Sequence, residues 1–189
     1  VRIRGTERAA CDASPAGRVS EGIGYLSEDR KSEGLALPLS IADNITLSRF
    51  SACSQLGWLS LSKQQAQADE LIASIGVRAR DARQPVSDLS GGNQQKIAMA
   101  RLIHQDADVL LLDEPTRGID IGSKAKIYET IADLADRGKA VLLVSSYIPE
   151  LFGMCDRFAV MTKGRLSSAL PINEWTPELV LETAIGTGR

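Results

Sequence analysis

Four short runs of apolar residues punctuate the chain: Gly22–Leu26 (GIGYL), Asp108–Asp113 (DVLLLD), Lys139–Ser146 (KAVLLVSS) and Arg157–Met161 (RFAVM). Each is bounded by polar residues and none alternates, the pattern of a strand buried on both faces of a parallel sheet. Between them the apolar positions take a helical spacing. Lys63–Ile75 follows Ser62 as the predicted N-cap and stops at Gly76. Lys124–Arg137 puts Ile127, Ile131 and Leu134 on one stripe and ends at Gly138. Gly34–Asp88 contains helical segments and no convincing strand, so it is predicted as an α-helical insertion between sheet strands. Thr162–Arg165 (TKGR) reads as a hairpin turn, and the tail closes with a short helix from about Pro177. The expected fold class is α/β, a mostly parallel sheet with flanking helices.

Composition narrows the function classes. A chain of 189 residues is long enough for a core burying about 70% of its unfolded surface. The formal net charge is −2 and the 22 Lys and Arg are spread along the sequence, which leaves no nucleic-acid footprint. Cys11, Cys53 and Cys155 are odd in number and lack metal-like spacing, which suits a reducing compartment. The longest apolar runs, such as AVLLV, fall far below the about 18 residues that span a membrane. The sequence shows no signal peptide and begins at Val1 rather than Met, so it is expected to be a piece of something longer.

Two stretches carry chemistry. Ser90, Gly91 and Gly92 precede a helix whose Ala98, Met99, Leu102 and Ile103 share one face. Such an entrance exposes free backbone N–H groups at the positive end of the helix, and glycines let a phosphate approach. Alone, the triplet reads far better as an ordinary cap followed by a glycine turn. Downstream, Val109–Leu112 runs into Asp113 and Glu114, at the carboxyl edge of a sheet where ligands bind open α/β folds. There Asp113 would hold Mg²⁺ through its water shell, and Glu114 would orient or deprotonate an attacking water. By itself an Asp-Glu-Pro sequence can be a solvated strand end. The conjunction of both stretches favours nucleotide chemistry, yet no G-x-x-x-x-G-K-[ST] loop lies upstream to cradle phosphates.

Together these residues resemble the nucleotide-binding module of ABC transporters. Leu89–Lys96 (LSGGNQQK) is similar to the signature motif, Val109–Glu114 (VLLLDE) to the Walker B strand and Arg117–Asp120 (RGID) to the D-loop. Ser27–Leu47, Leu110–Tyr128 and Val141–Leu151 look like the second of two fused modules in bacterial importers of ribose, galactose, xylose or arabinose. The likeness runs from about Arg18 to Gly164, and Arg4–Gly17 departs from it. It implies a RecA-like core over 1–32 and 89–166, a helical subdomain over 33–88, and a tail over 167–189. The phosphate-loop strand would be missing from the sheet between Ala140–Ser145 and Arg157–Met161, leaving unpaired edges.

The resemblance also implies roles. Ser90, Gly91 and Gly92, with Asn93 and Gln94, would bind ATP held by an opposite module, and Asp120 would communicate across that interface. Asp113 would serve Mg²⁺ and Glu114 would be the general base. Glu28 replaces the glutamine that senses the metal, and a carboxylate there can still meet a cation. Ser146 takes the place of the catalytic switch histidine, although serine cannot act as a near-neutral base. His104 is expected to be a packing or surface residue. The implied partners are a second ABC module, permease subunits and, indirectly, a periplasmic sugar-binding protein, with no nucleic acid. The implied location is the cytoplasmic face of the inner membrane. A non-hydrolysing interaction module is the alternative, followed by an ATPase of DNA repair or chromosome maintenance.

Overall fold

The computed structural model describes residues 14–186 and the backbone of the two short N-terminal strands β1 (Arg2–Ile3) and β2 (Thr6–Glu7). Cys11 and most of the unassigned Arg4–Gly17 stretch lie outside the described residues. The chain forms two compact units, Val1–Val144 and Ser145–Arg189.

In the first unit, α1 (Pro15–Ser20) leads into β3 (Ile23–Leu26), followed by a π-helical turn over Arg30–Gly34 and α2 (Ile41–Thr46). A hairpin of β4 (Ser54–Gln55) and β5 (Trp58–Leu59) precedes α3 (Leu61–Ser74) and α4 (Gly91–Gln105). Then come β6 (Val109–Asp113), α5 (Ile121–Asp136) and β7 (Ala140–Val144). The three longer strands form one parallel sheet in the order β3-β6-β7, with Gly24 beside Leu110 and Leu110 beside Val141. The face bearing Gly24, Leu26, Leu110 and Leu112 is buried, and Leu102 and Ala107, at the end of α4, reach within about 3 Å of where a Gly24 Cβ would sit. A second apolar cluster joins the helices through Ile41, Ile45, Val86, Ile97 and Met99, all at most 1% exposed.

Burial departs from the continuous-apolarity reading. Among the described residues only one face of the sheet is covered: Tyr25, Leu142 and Val144 on the other are more than half exposed. An apolar run records what a strand tolerates, whereas a second covering layer depends on other segments of chain. Among the described strands β7 pairs only with β6, so its outer edge is open.

Helix starts follow side-chain caps and not the first periodic residue. Ser60, not Ser62, caps α3, accepting from the Lys63 amide. Asp120 starts α5 ahead of the predicted Lys124, accepting from the Ser123 amide at 2.9 Å. The region expected to lack strands contains β4 and β5, joined at Leu56 and Gly57, both of positive φ. That turn is matched to the twist of a tight hairpin.

The second unit contains α6 (Ile148–Met154), β8 (Arg157–Phe158), β9 (Met161–Thr162), β10 (Arg165–Leu166), β11 (Leu170–Pro171) and α7 (Pro177–Ile185). The predicted Arg157–Met161 strand is divided: β8 pairs with β11 and β9 with β10, both antiparallel. Phe158 is held in an aromatic group, edge-on to Trp175 at 5.2 Å and beside Phe152 at 6.0 Å. Trp175 Nε1 donates to the Phe158 carbonyl at 3.0 Å. Val160 N donates to the Ser167 hydroxyl at 2.9 Å, taking the chain out of one ladder and into the next. The expected turn at Lys163–Gly164 and the helix at Pro177 are both present.

Two outcomes follow. A Gly24→Val side chain would begin with a Cβ 2.9 Å from Leu102 Cδ2 and 3.0 Å from Ala107 Cβ. It should lower unfolding free energy by about 1–3 kcal/mol, read as a lower urea midpoint. Hydrogen bonds from the Ser123 amide and then its hydroxyl hold the Asp120 carboxyl below its ordinary 3.8. A depressed carboxylate stabilises the fold fully above its unfolded pKa and loses this as pH falls through the folded value. Asn caps equally well and does not titrate. The urea midpoint of wild type relative to Asp120→Asn should therefore be constant at neutral pH and fall below about pH 4.

Candidate functional site

Most of the predicted site residues gather around the start of α4 and the carboxyl end of β6. Ser90 has the extended backbone of an N-cap but caps nothing. Its Oγ accepts from Asn93 Nδ2 at 3.0 Å, while Asn93 Oδ1 accepts from the Arg78 amide at 2.9 Å. The amides of Gly91, Gly92 and Asn93 therefore have no hydrogen-bond acceptor among the described residues. The first satisfied amide is that of Gln94, donating to the Ser90 carbonyl at 2.9 Å. Ser40, Ser60, Asp120 and Thr176 each cap their own helices. At α4 the donors stay open.

The glycines have a reason the sequence did not disclose. A Cβ on Gly92 would lie 2.5 Å from Ser123 Oγ and 2.9 Å from Asp120 Oδ2, so this glycine lets the starts of α4 and α5 meet. A Cβ on Gly91 would lie 2.7 Å from Arg30 Nη2. Both glycines thus also make room for the chain's own side chains, Arg30 over Gly91 and Ser123 with Asp120 against Gly92. Gln94 is also turned inward; it is buried and donates to the Val86 carbonyl at 3.2 Å, so it braces the turn that presents Ser90.

Arg30 carries no sequence signature of its own, and Arg117 opens the D-loop-like stretch. The loop after β3 is stiffened by Asp29, which accepts from the Lys31 and Ser32 amides, and by Ser27, whose hydroxyl donates to Glu33. It sets the Arg30 guanidinium over Gly91, with Nη1 donating to the Arg117 carbonyl at 3.4 Å and a buried Nε that meets no acceptor. Glu28 forms an ion pair with Arg117. For Arg30 the available signal is its place two residues after Glu28, just past the end of β3. A cation beside open amides at a helix N-terminus makes a field suited to an anion.

Asp113 ends β6 and accepts a long 3.4 Å hydrogen bond from the Tyr25 hydroxyl. Glu114 follows with φ of +46°, its amide donating to the Val144 carbonyl at 2.8 Å and its carbonyl accepting from Arg117 N at 3.1 Å. A left-handed glutamate costs of order 1–3 kcal/mol and persists only where its surroundings impose it. Among the described residues no three His, Cys, Asp or Glu converge on a metal-sized point. Asp113 thus offers a single carboxylate, which fits Mg²⁺ because that ion keeps waters and takes few protein ligands.

A polar cleft of about 300 Å³ beside α4 is lined by Arg78, Ser90, Asn93, Lys96, Asp120 and Ser123. Lys96 Nζ donates to the Gly76 carbonyl at 2.8 Å, and burial, followed by Arg78, lowers its pKa. Ser146 belongs to the second unit, in the turn before α6, where neighbouring Ser145 accepts from Tyr147 N and donates to Glu150. His104 packs against Gln67 Oε1 at 2.9 Å and Cys53 Sγ at 3.6 Å, away from these groups.

The chain is similar to known proteins. The ABC transporter family model matches residues 3–117. The ribose import ATP-binding protein RbsA 2 of Rhizobium meliloti is 45% identical over 181 residues, 96% of this chain and 34% of that protein. The ribose import ATP-binding protein RbsA 3 of Rubrobacter xylanophilus is 44% identical over 172 residues, 91% of this chain and 34% of that protein. The chain thus spans about a third of the length of the curated relatives it matches. In fold it is similar to the dimeric ATP-binding cassette MJ0796 in a post-hydrolysis state bound to ADP and Pi. That match has a TM-score of 0.67 and 23% identity, covering 79% of this chain and 62% of the cassette. With an open helix start, an acidic strand end and a family match over more than half its length, the chain belongs to the ABC transporter family.

Proposed function

We propose that the chain forms part of the ATP-binding subunit of an importer for a monosaccharide, giving its α4 start to a composite ATP site. The observation that carries this reading is the set of open amides at Gly91, Gly92 and Asn93 beside the Arg30 guanidinium. Those donors, with the exposed Ser90 hydroxyl, bind the terminal phosphate of a nucleotide whose phosphate loop belongs to a second ABC module. Asp113 is the residue that would hold Mg²⁺, which would supply charge neutralisation when bound. In the chain's own site of the pair, Glu114 would orient an attacking water and accept its proton. Asp120, fixed by Ser123, keeps the start of α5 against Gly92 at the module interface. Glu28, paired to Arg117, links the loop after β3 to the D-loop-like turn. Residues 33–88 act as the helical subdomain that meets the permease, on the cytoplasmic face of the inner membrane. A periplasmic sugar-binding protein delivers the substrate.

A non-hydrolysing variant of this role is favoured by one residue. Ser146 replaces an imidazole that could titrate near neutrality, and Ser146 contributes a hydrogen bond at most. Both readings place the open helix start in a composite site, and they part over turnover in the presence of a partner.

The test supplies a phosphate loop in trans. A module with an intact phosphate loop is mixed with this chain, and phosphate release is followed. The mixture should hydrolyse ATP while the chain alone does not. Gly91→Asp, which adds a carboxylate among the open amides, should abolish the gain from mixing. Hydrolysis by the chain alone at the rate of a complete transporter would overturn the composite-site reading.

A further inference from the structure

Ser40 and Ser90 open α2 and α4 with nearly the same backbone, φ/ψ of −64°/161° and −62°/156°. Their side chains nevertheless behave differently. Ser40 Oγ accepts from the Asp43 amide at 3.1 Å and donates to Asp43 Oδ2 at 2.6 Å, so a lone pair and the proton are both used within the chain. Ser60 and Asp120 likewise accept from the amide three residues on, the ordinary action of an N-cap. Ser90 Oγ meets Asn93 Nδ2 at 3.0 Å instead, and the Asn93 amide is left open. With the backbones matched, the residue at the third helical position makes the difference.

The orientation of the Asn93 side chain follows from what faces it. A backbone N–H only donates, so the Arg78 amide, 2.9 Å away, fixes the atom it meets as the acceptor Oδ1. Nδ2 then points to Ser90, and since Nδ2 only donates, Ser90 Oγ is the acceptor. The Ser90 proton is thereby turned away from Asn93, and Ser90 is exposed. Arg78 is itself a fixed reference. Lys96, about one turn further along α4, donates to the Gly76 carbonyl at 2.8 Å, while Val77 is buried and its amide donates to the Ile72 carbonyl at 2.9 Å. Around the helix start stand the amides of Gly91, Gly92 and Asn93, the Ser90 hydroxyl and the Arg30 guanidinium, all presented as donors. Such a set suits a ligand group made of acceptor atoms alone, as in the terminal phosphate of ATP.

We propose that the Asn93 side chain positions Ser90 and does not itself contact the nucleotide. Held by the Arg78 amide, it takes up a lone pair of Ser90 and leaves the Ser90 proton and the backbone amide of residue 93 to the terminal phosphate, so that the site selects ATP over ADP. Without it, Ser90 falls back onto the amide three residues on, as Ser40 does at Asp43. This role rests on the composite site proposed above, and it assigns to Ser90 the contact that the family resemblance implies for the Asn93 side chain.

Two measurements on the full chain separate positioning from contact, with urea midpoints verifying that each variant folds. Amide hydrogen exchange at position 93 should be about five-fold slower in Asn93→Ala than in Ser90→Ala/Asn93→Ala, because only in the first can a released Ser90 cap that amide. Dissociation constants are then measured against a module with an intact phosphate loop, in the presence of ADP or of the β,γ-imido analogue of ATP. The wild type should bind the module more tightly with the analogue, and Asn93→Ala and Ser90→Ala should each reduce that preference about ten-fold. The double variant should lose no more than Asn93→Ala alone, since both changes remove the same contact. Additive losses would make Asn93 a nucleotide contact in its own right and overturn the proposal. An unaltered preference in Asn93→Ala, or equal exchange in the two variants, would overturn it as well. A wild type that binds the module equally with analogue and ADP would refute the composite site and the selectivity with it, whereas an intact wild-type preference with additive losses refutes the role of Asn93 alone.

Discussion

The close approach of the starts of α4 and α5 sets the geometry of everything around it. Asp120 caps α5 through the Ser123 amide, and the same two residues press on the space where Gly92 would carry a Cβ. With that contact made, Ser90 faces outward, and its hydroxyl is drawn to Asn93 instead of the helix it opens. The result is a helix whose first amides have no acceptor within the chain, a state that costs least where solvent or a ligand can reach them.

The sheet contributes a second constraint. Its parallel register carries Asp113 to the end of β6 and binds the Glu114 amide to the Val144 carbonyl, at the end of the neighbouring strand. Glu114 is left in a left-handed conformation that only a tightly supported backbone maintains. On the opposite side of the helix start, the loop after β3 delivers Arg30 to Gly91 and Glu28 to Arg117. Three separated segments thus converge on one small region, and the positive field there comes from backbone dipole and side chain together.

Legibility in the sequence varied with the range of the interaction. The strand cores at β3, β6 and β7, the end of α3 at Gly76, the turn at Lys163–Gly164 and the helix from Pro177 were read correctly. Each depends on neighbours within a few residues, through apolar runs, positive-φ glycines or an N-terminal proline. The starts of α3 and α5 were misplaced because Ser60 and Asp120 compete with other polar residues nearby, and only cap geometry decides between them. The β4–β5 hairpin was missed because its strands are two residues long and mostly exposed.

What the sequence by itself determined is the set of elements and the chemistry at their ends: an open helix start at Ser90 and carboxylates at the end of β6. Both follow from local backbone geometry and residue type. Only the tertiary structure decided that Arg30 fills the space over Gly91, that Gln94 turns inward, that one sheet face stays uncovered, and that Arg157–Met161 divides between two ladders. Those outcomes depend on which distant segments pack together, and a periodic pattern of apolar residues specifies a buried face without naming the partner that buries it.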